Sequence, residues 1–413
     1  MEKENEELGI RNFLIITLST KESFLIPNSK FLIVYMFMLK KFAILIITAL
    51  SVSCNNAGDI GNFCIEAYTP EYASGFVIMA AEGRASTILM SKNPWQGADG
   101  VTTELFIARN GEVPPSGFRG EVLTGEPSRI VCLSSTHIAM LDAVGAVERV
   151  VGVSGADYVT NEYVTSHRDT VGDVGYEGNI DYELMVALDP DVVLLYGIGG
   201  TSGMEGRLRE LGIPFAYIGD YLEESPLGRA EWLVAVGEIA GCREYAATVF
   251  AEIPERYAEL KRRAAAAESK RPAVMVNTPY GDAWIMSPTT SGIARMIADA
   301  GGRYVYEGNT TDRSLPIDME EAALLLAESD VWLNVGDVAT LEELRRRLPK
   351  FADVKCVREG CVWNFDLRTS ASGGNDYWES GAVHPDLVLR DMIKIFHPEV
   401  AADEPFVYYR RLK

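Results

Sequence analysis

The chain has 413 residues, with 59 acidic and 38 basic side chains, and its formal net charge is −21. This charge argues against a nucleic-acid partner and against adsorption to an anionic membrane surface, because like charges repel. Hydrophobic residues make up 47% of the chain and glycines number 37, which is typical of a globular α/β protein. A chain of this length can form more than one hydrophobic core.

The N-terminus carries the pattern of an export signal. Lys40 and Lys41 form a short basic region, residues 42–50 are apolar, and small residues at 51–53 precede Cys54. This order is typical of a secretory signal, and its apolar run is short for a membrane span. The ending resembles a bacterial lipoprotein signal, in which the cysteine is lipidated, so Cys54 is the predicted lipidation site.

Two features of the first 53 residues leave room for other interpretations. A membrane anchor built from residues 31–53 is the alternative to a signal, although two lysines interrupt that run. Residues 1–37 have no role in either scheme. We therefore interpret residues 1–53 as a mis-started leader plus a lipoprotein signal peptide, with Met38 as the better start.

Residues 54–127 predict a polar tether followed by a β-rich N-terminal extension. Short apolar runs at residues 75–79, 86–90 and 104–108 are separated by Gly, Asn and Pro. Runs of this length between such breakers predict strands.

Strand and helix patterns alternate over residues 128–224, which we call the N-lobe. Ser134, Ser135 and Thr136 can cap a helix that starts near His137. Strands are predicted at residues 129–133, 150–153, 192–196 and 215–218, and helices at 182–187 and 203–211. This alternation predicts a parallel sheet with helices on both faces.

Residues 225–270 predict a helical linker region. Ser225 and Pro226 are a strong helix start, with a break at Gly241. Residues 244–267 then carry apolar side chains at helical spacing, with Pro254 inside, where it should kink the helix. We expect one long helix between two lobes.

Residues 271–413, the C-lobe, resume the alternation. Strands are predicted at residues 274–276, 331–333 and 354–357, and helices at 292–300 and 386–396. Cys356 and Cys361 flank a predicted hairpin turn, so they either face each other across it or are buried free thiols. None of the cysteines that follow Cys54 has metal-ligand spacing.

One unit of the sequence occurs twice. Residues 179–195 predict a helix with an acidic start, a turn at Asp and an apolar strand. Residues 317–333 are an imperfect repeat of this pattern. The repeat predicts two similar lobes that each present one glutamate, Glu183 and either Glu320 or Glu321, of which we favour Glu320. The plainer alternative is that these acids only complement the helix dipole.

Together, the export signal, the two lobes, the long helix and the paired glutamates resemble the type III, helix-linked solute-binding proteins of ABC importers. The best marker is Ala-Leu-Asp-Pro-Asp-Val-Val at residues 187–193, although Ser329 replaces the proline in the second copy. Residues 93–96 and 373–381 are similar to a Bacteroidetes branch of the family. The resemblance implies an α/β fold of two Rossmann-like lobes joined by a single long α-helix, with the β-rich extension added.

The resemblance also implies a function. The protein would be a periplasmic, lipid-anchored monomer that captures a ferric siderophore, haem or cobalamin and delivers it to an inner-membrane permease dimer. It would need no cofactor, because the metal arrives already chelated. Glu183 and Glu320 would pair with arginines of the permease, and an iron chelate is favoured only because such family members are frequent.

The ligand of such a protein is expected in the cleft where strand ends from both lobes converge. Aromatic walls suit a flat chelate, and arginines suit an anionic one, although each side chain could instead pack in its own lobe or lie unused on the surface. The candidates are Ser135, His137, Tyr176, Tyr196, Tyr280, Trp284, Arg313 and Arg368.

His137 has two interpretations, since the chain has only four histidines. It could bind haem iron or another metal, but a histidine at a helix start more often packs or caps. The scarcity of histidine also disfavours the main rival function, a chelatase that inserts metal into a tetrapyrrole. A third alternative is a surface lipoprotein that only scaffolds partners and binds no small molecule.

Overall fold

The fold is described from a computed structural model, over residues 59–176, 178–197, 203–267 and 270–413. Cys54 and the predicted leader lie outside these residues. Within the described ranges, no helix is both long and apolar enough to span a membrane.

The N-terminal extension forms a five-stranded sheet in which only the last pair of strands is parallel. Its strands, in sheet order, are β1 (Ile65–Tyr68), β2 (Phe76–Ala80), β3 (Thr87–Lys92), β4 (Thr102–Ala108) and β5 (Glu121–Thr124). This extension sheet confirms the β-rich prediction. One face, with Phe76 and Ile107, joins the N-lobe core, while Ile88 and Phe106 on the other face pack with Phe63 in a smaller cluster.

The N-lobe is built on a parallel sheet of five strands in the order β12-β11-β6-β7-β8. The strands are β6 (Ile130–Cys132), β7 (Val150–Val153), β8 (Gly172–Asp173), β11 (Val192–Leu195) and β12 (Phe215–Tyr217), and a small hairpin pairs β9 (Gly175–Tyr176) with β10 (Asn179–Ile180). The helices are α1 (Ser135–Ala143), α2 (Glu162–Ser166), α3 (Tyr182–Ala187) and α4 (Met204–Leu211). Every residue of the interior strand β11 is buried, because side chains cover both faces of the sheet.

The C-lobe repeats this plan, with one antiparallel edge strand. Its sheet order is β15-β13-β17-β18-β19, and only β19 runs antiparallel. The strands are β13 (Ala273–Val276), β15 (Arg303–Tyr304), β17 (Val331–Leu333), β18 (Val362–Asn364) and β19 (Arg410–Arg411), with a hairpin of β14 (Trp284–Met286) and β16 (Leu315–Ile317). The helices are α7 (Gly292–Asp299), α8 (Met319–Ala327), α9 (Leu341–Arg347), α10 (Lys355–Arg358) and α11 (Pro385–Phe396).

Two consecutive helices follow the N-lobe sheet, of which the first packs in the N-lobe core and the second runs from the N-lobe core to the C-lobe core. Helix α5 (Pro226–Ile239) is capped by Ser225, as predicted, and α6 (Arg243–Ala265) is one continuous helix with Pro254 inside it. The first half of α6 contributes Ile253 and its neighbours to the N-lobe core, and the second half contributes Tyr257 and its neighbours to the C-lobe core. The predicted single long helix between two lobes is confirmed.

One predicted strand is wrong. Residues 354–357 do not form a strand, because Lys355–Arg358 form the helical turn α10, and the next strand, β18, begins only at Val362. A short apolar run does not distinguish a buried strand from one helical turn. Cys356 and Cys361 therefore do not face each other across a hairpin, and both thiols are free.

Candidate functional site

The two copies of the repeated unit start with the same helix cap. Asp181 caps α3 by accepting a hydrogen bond from the Leu184 N–H at 2.9 Å, and Asp318 caps α8 by accepting two N–H bonds at 2.8 and 2.9 Å. Glu183 and Glu320 both stand at the second helical position after that cap, and both are exposed. Glu320 is therefore the positional equivalent of Glu183.

The two copies also end alike. Asp191 accepts hydrogen bonds from the N–H groups of Ser128 and Arg129, next to the first strand of the N-lobe. Asp330 accepts one from the N–H of Ala273, at the first strand of the C-lobe. Each aspartate directly precedes the strand that pairs with the first strand of its lobe, β11 beside β6 and β17 beside β13. Both copies therefore place the same cap, helix and strand, despite Pro190 in one copy and Ser329 in the other.

Four exposed aromatic side chains lie in the connections that follow strands of the two lobe sheets, where parallel sheets bind ligands. They are Tyr158 (55% exposed) and Tyr176 (52%) in the N-lobe, and Tyr280 (86%) and Trp378 (51%) in the C-lobe. Two of the four, Tyr176 and Tyr280, are among the predicted ligand contacts, and that role stays a prediction. Tyr158 was missed because it lies beyond the first residues that follow its strand.

Two of the predicted ligand contacts are placed in the core instead. His137 is fully buried in α1, neither ring nitrogen has a hydrogen-bond partner among the described residues, and burial lowers its pKa to about 3. Trp284 is also fully buried, and its indole N–H donates to the carbonyl of Val276 at 2.9 Å. Neither side chain is accessible to a ligand, so both predictions are wrong for this conformation.

The remaining candidates are spread over both lobes. Ser135 is the first residue of α1, and Tyr196, directly after β11, is partly buried. Arg313 is highly exposed and pairs with the adjacent Asp312, and Arg368 pairs with Asp376 at 3.1 Å. The position of a residue in the chain did not show which way its side chain points.

A cavity of about 260 Å³ lies between residues that precede or begin α5 and residues of the C-lobe. We call it the inter-lobe cavity, and none of the eight predicted ligand contacts lines it. Its most distinctive lining residues are Tyr221, Arg229, Met296, Tyr377 and Trp378. Only Tyr377 and Trp378 had a sequence signal, as aromatic residues in the Gly-rich stretch at 373–381.

That Gly-rich stretch belongs to a bridging segment, residues 369–381, which binds the C-lobe to the N-lobe. Glu379 accepts a hydrogen bond from the N–H of Thr160 at 2.8 Å, and Asp376 accepts one from the Thr160 hydroxyl at 3.3 Å. Gly374 fits so closely that an added Cβ would lie 1.9 Å from the carbonyl oxygen of Tyr158. Glu379 is 2% exposed, and burial raises its pKa to about 7.

Residues 93–96, the other stretch that is similar to the Bacteroidetes branch, do not line the inter-lobe cavity. The ring of Trp95 packs on Tyr217 with centroids 5.3 Å apart, and both line a cavity of about 480 Å³ between the extension sheet and the N-lobe. This cavity shares no lining residue with the inter-lobe cavity. Over the described ranges, no group of three or more His, Cys, Asp or Glu side chains could hold a metal ion.

A family model described as "Periplasmic binding protein" matches residues 130–366, which contain the N-lobe sheet, the helix α6 and every strand of the C-lobe sheet except β19. The chain belongs to the periplasmic binding protein family. Its two sheets and long connecting helix are those of the helix-linked, type III members. The extension sheet lies outside the match and is an addition to the family fold.

Solved structures of periplasmic binding proteins share the fold. A periplasmic solute binding protein from Veillonella parvula has a TM-score of 0.51 at 20% identity, covering 68% of this chain and 84% of its own. A periplasmic heme binding protein from Pseudomonas aeruginosa has a TM-score of 0.51 at 19% identity, covering 66% and 93%. A possible iron-binding periplasmic protein from Staphylococcus epidermidis has a TM-score of 0.52 at 14% identity, covering 66% and 100%.

Sequence relatives come from Methanocaldococcus jannaschii. One, described as an uncharacterized lipoprotein, is 24% identical over 317 residues, which cover 72% of this chain and 74% of the relative. A second uncharacterized lipoprotein is 26% identical over 246 residues, covering 57% and 59%. The Bacteroidetes branch suggested by residues 93–96 and 373–381 stays a prediction for this periplasmic binding protein.

Proposed function

We propose that this periplasmic binding protein is the lipid-anchored binding subunit of an ABC importer, and that it captures a ferric siderophore and delivers it to the permease. The observation that carries the proposal is the inter-lobe cavity, whose lining comes from both sides of the lobe boundary and includes aromatic rings. Ligand sites in proteins of this kind are concave, mostly apolar and placed between domains. Two of the similar structures are described as heme-binding and as possibly iron-binding, which supports a metal chelate as cargo.

The aromatic side chains at the strand ends define the proposed rim of the site. Tyr176 and Tyr280 are exposed there and would contact a bulky chelate, with Ser135 and Tyr196 nearby on the N-lobe. Arg313 and Arg368 are the proposed contacts for an anionic group on the C-lobe side, where each also pairs with an aspartate. Trp378 and Tyr221 extend the predicted set, because both line the cavity itself.

The paired glutamates are the proposed docking points. Glu183 and Glu320 occupy equivalent exposed positions, one in each lobe, so they can orient a rigid body on a permease dimer. Each exposed ion pair would contribute about 1 kcal/mol or less, so the pair serves orientation more than affinity. The net charge of −21 would steer the encounter with a basic surface.

The lipid anchor is proposed at Cys54, which lies outside the described residues. Its support is the signal pattern before it and the description of two relatives as lipoproteins. Replacing Cys54 by Ala should move the protein from the membrane fraction to the soluble periplasmic fraction. Retention of the Cys54→Ala protein in washed membranes would contradict the anchor.

Fluorescence titration tests the cargo, because half-exposed Trp378 is a natural reporter. A ferric siderophore should quench the emission of the wild-type protein with saturation, and the Trp378→Phe variant should lose most of this signal. If only haemin or cobalamin shows saturable binding, the protein is a binding protein for a metal chelate, but its cargo is not a siderophore. No response to any of the three, together with an unchanged melting temperature, would contradict the transport function.

A further inference from the structure

Arg229, in the first turn of α5, is the only basic residue among the described residues that line the inter-lobe cavity. Its Nε donates to Oδ2 of Asp220 at 3.1 Å, and Asp220 is 1% exposed. The other carboxylate oxygen of Asp220 accepts a hydrogen bond from the Thr136 hydroxyl at 3.2 Å. The guanidinium is thus held through Nε, and its terminal nitrogens have no hydrogen-bond partner in the described part of the chain.

Asp220 is the ion-pair partner of Arg229, with Nε and Oδ2 3.1 Å apart, and the two carboxylates that line the cavity are bonded to other groups. Glu223 accepts two backbone N–H bonds from the extension and one from the indole of Trp232 at 2.9 Å. Glu224 pairs with Arg295 at 2.8 Å. Arg229 therefore offers donors toward the cavity that the protein itself leaves unused.

Trp378 supplies a flat surface on the C-lobe side of the same cavity. Its ring makes edge contacts with Phe365 and Tyr377, at centroid distances of 5.4 and 4.9 Å, and remains 51% exposed. The bridging segment fixes its backbone, since Glu379 beside it is bonded across the lobe boundary. Ile293 and Met296 add an apolar lining.

We propose that the inter-lobe cavity binds a planar anionic group of the chelate, a carboxylated or catecholate ring, between the guanidinium of Arg229 and the ring of Trp378. This inference rests on the proposed function and names the chemical class of its ligand. The planar fork of an arginine matches a carboxylate or a pair of phenolate oxygens, and an aromatic ring stacks on an indole. A neutral ligand oxygen would accept only a weaker hydrogen bond from Arg229 than a carboxylate or phenolate oxygen does, which costs affinity.

The size of the cavity agrees with one ring rather than a whole chelate. Its volume of about 260 Å³ equals roughly nine water molecules at about 30 Å³ each. One substituted aromatic ring fits this space. The rest of a siderophore would lie outside it, toward the exposed aromatic side chains at the strand ends.

Calorimetric titration of matched variants tests the inference. The probes are a ferric tris-catecholate, which is anionic, and an uncharged ferric trihydroxamate. The Arg229→Gln variant should bind the tris-catecholate at least about tenfold more weakly than the wild type, and Arg229→Lys should recover part of the loss. Trp378→Ala should weaken the same chelate, and Arg207→Gln, which removes an exposed arginine of α4, should change nothing.

The outcomes separate this inference from the proposed function. If Arg229→Gln and Arg207→Gln bind the tris-catecholate equally, or if the trihydroxamate binds the wild type more tightly, the anionic-ring assignment is wrong while the transport function stands. If the wild type binds neither probe, the assignment and the siderophore function fail together. Trp378→Ala keeps the test decisive if Arg229→Gln folds poorly, because Trp378 is half exposed and its loss leaves no buried charge.

Discussion

Each lobe carries one buried carboxylate that holds three consecutive backbone N–H groups of an added segment. In the N-lobe, Glu231 of α5 is bonded to residues 71–73 at 2.7–2.8 Å, and it also accepts the hydroxyl of Tyr68. In the C-lobe, Asp391 of α11 is bonded to residues 407–409 at 2.7–3.1 Å. Charge-assisted bonds of this kind are stronger than neutral ones.

The two attachments differ in how far along the chain they reach. Asp391 binds a segment 16 to 18 residues away, whereas Glu231 binds one 158 to 160 residues away. The N-terminal attachment also has an apolar interface, in which Phe76 lies 4.8 Å from the ring of Trp232. The C-terminal segment is packed as well, since Tyr408 and Tyr409 are buried in the C-lobe core and β19 pairs with β18. Both attachments therefore combine a buried acid with an apolar interface, and they differ in the length of chain between the acid and the segment that it binds.

The largest expected effect comes from removing either carboxylate. Glu231→Gln and Asp391→Asn should each lower the free energy of unfolding by about 2–4 kcal/mol, because an amide group cannot accept the bonds that the lost oxygen accepted. Urea unfolding followed by circular dichroism measures the change. Glu210→Gln, at an exposed position in α4, is the control and should be neutral. If Glu231→Gln is also neutral, the extension sheet is not an integral part of the N-lobe.

The bridging segment tests whether the two lobes behave independently. Gly374→Ala should lower the free energy of unfolding by about 1–3 kcal/mol, because its Cβ would collide with the carbonyl of Tyr158. Gly206→Ala is the matched control, since its Cβ would meet no atom within 4 Å. Gly206→Ala should be neutral or stabilise by up to about 1 kcal/mol, because Gly206 lies within α4. A Gly374→Ala protein as stable as the wild type would mean that the segment does not pack on the N-lobe in solution.

A smaller effect is expected from the pH dependence of the same segment. Burial raises the pKa of Glu379 from 4.5 to about 7, so its contribution to stability is fully present below pH 4.5 and is lost as the pH rises through 7. The melting temperature of the wild type should therefore fall between pH 5 and pH 8 by at least about 2 °C more than that of Glu379→Gln. Parallel pH profiles of the two proteins would show that Glu379 does not titrate in this range.

The smallest effect is expected from the glutamates that make the lobes alike. Glu183→Ala and Glu320→Ala should each raise the chelate concentration for half-maximal uptake by about fivefold or less, because exposed ion pairs contribute about 1 kcal/mol or less. The double variant should show the product of the two effects. Glu321→Ala is the control, and a larger effect there than at Glu320 would reverse our assignment. Calorimetry should show unchanged chelate affinity in every variant.

The sequence predicted the elements better than it predicted the site. The fully apolar run at residues 192–195, between turn residues, predicts a buried strand. Ser225 and Pro226 predict a helix start from local chemistry alone, because the serine caps the helix and the proline fits its first turn. Residues 354–357 are too short for their periodicity to decide between strand and helix. Local pattern is therefore sufficient for the lobes and the helix between them.

The site depends on side-chain direction and on distant contacts. His137 and Trp284 stand at plausible ends of elements, yet both point into a core. Arg229 looked like an ordinary helical residue, because its partner Asp220 and the opposite wall at Trp378 come from other parts of the fold. The bond between Glu379 and Thr160 spans 219 residues, which no local pattern reveals.

The division of α6 between two cores has a consequence for how the protein melts. Ile253 belongs to one hydrophobic cluster and Tyr257 to the other, and both lie on a single uninterrupted helix. Unfolding of either lobe core would remove the packing partners of one half of α6. Because α6 is continuous, we expect the two lobes to unfold together. Differential scanning calorimetry of residues 56–413 should show one cooperative heat-absorption peak rather than two.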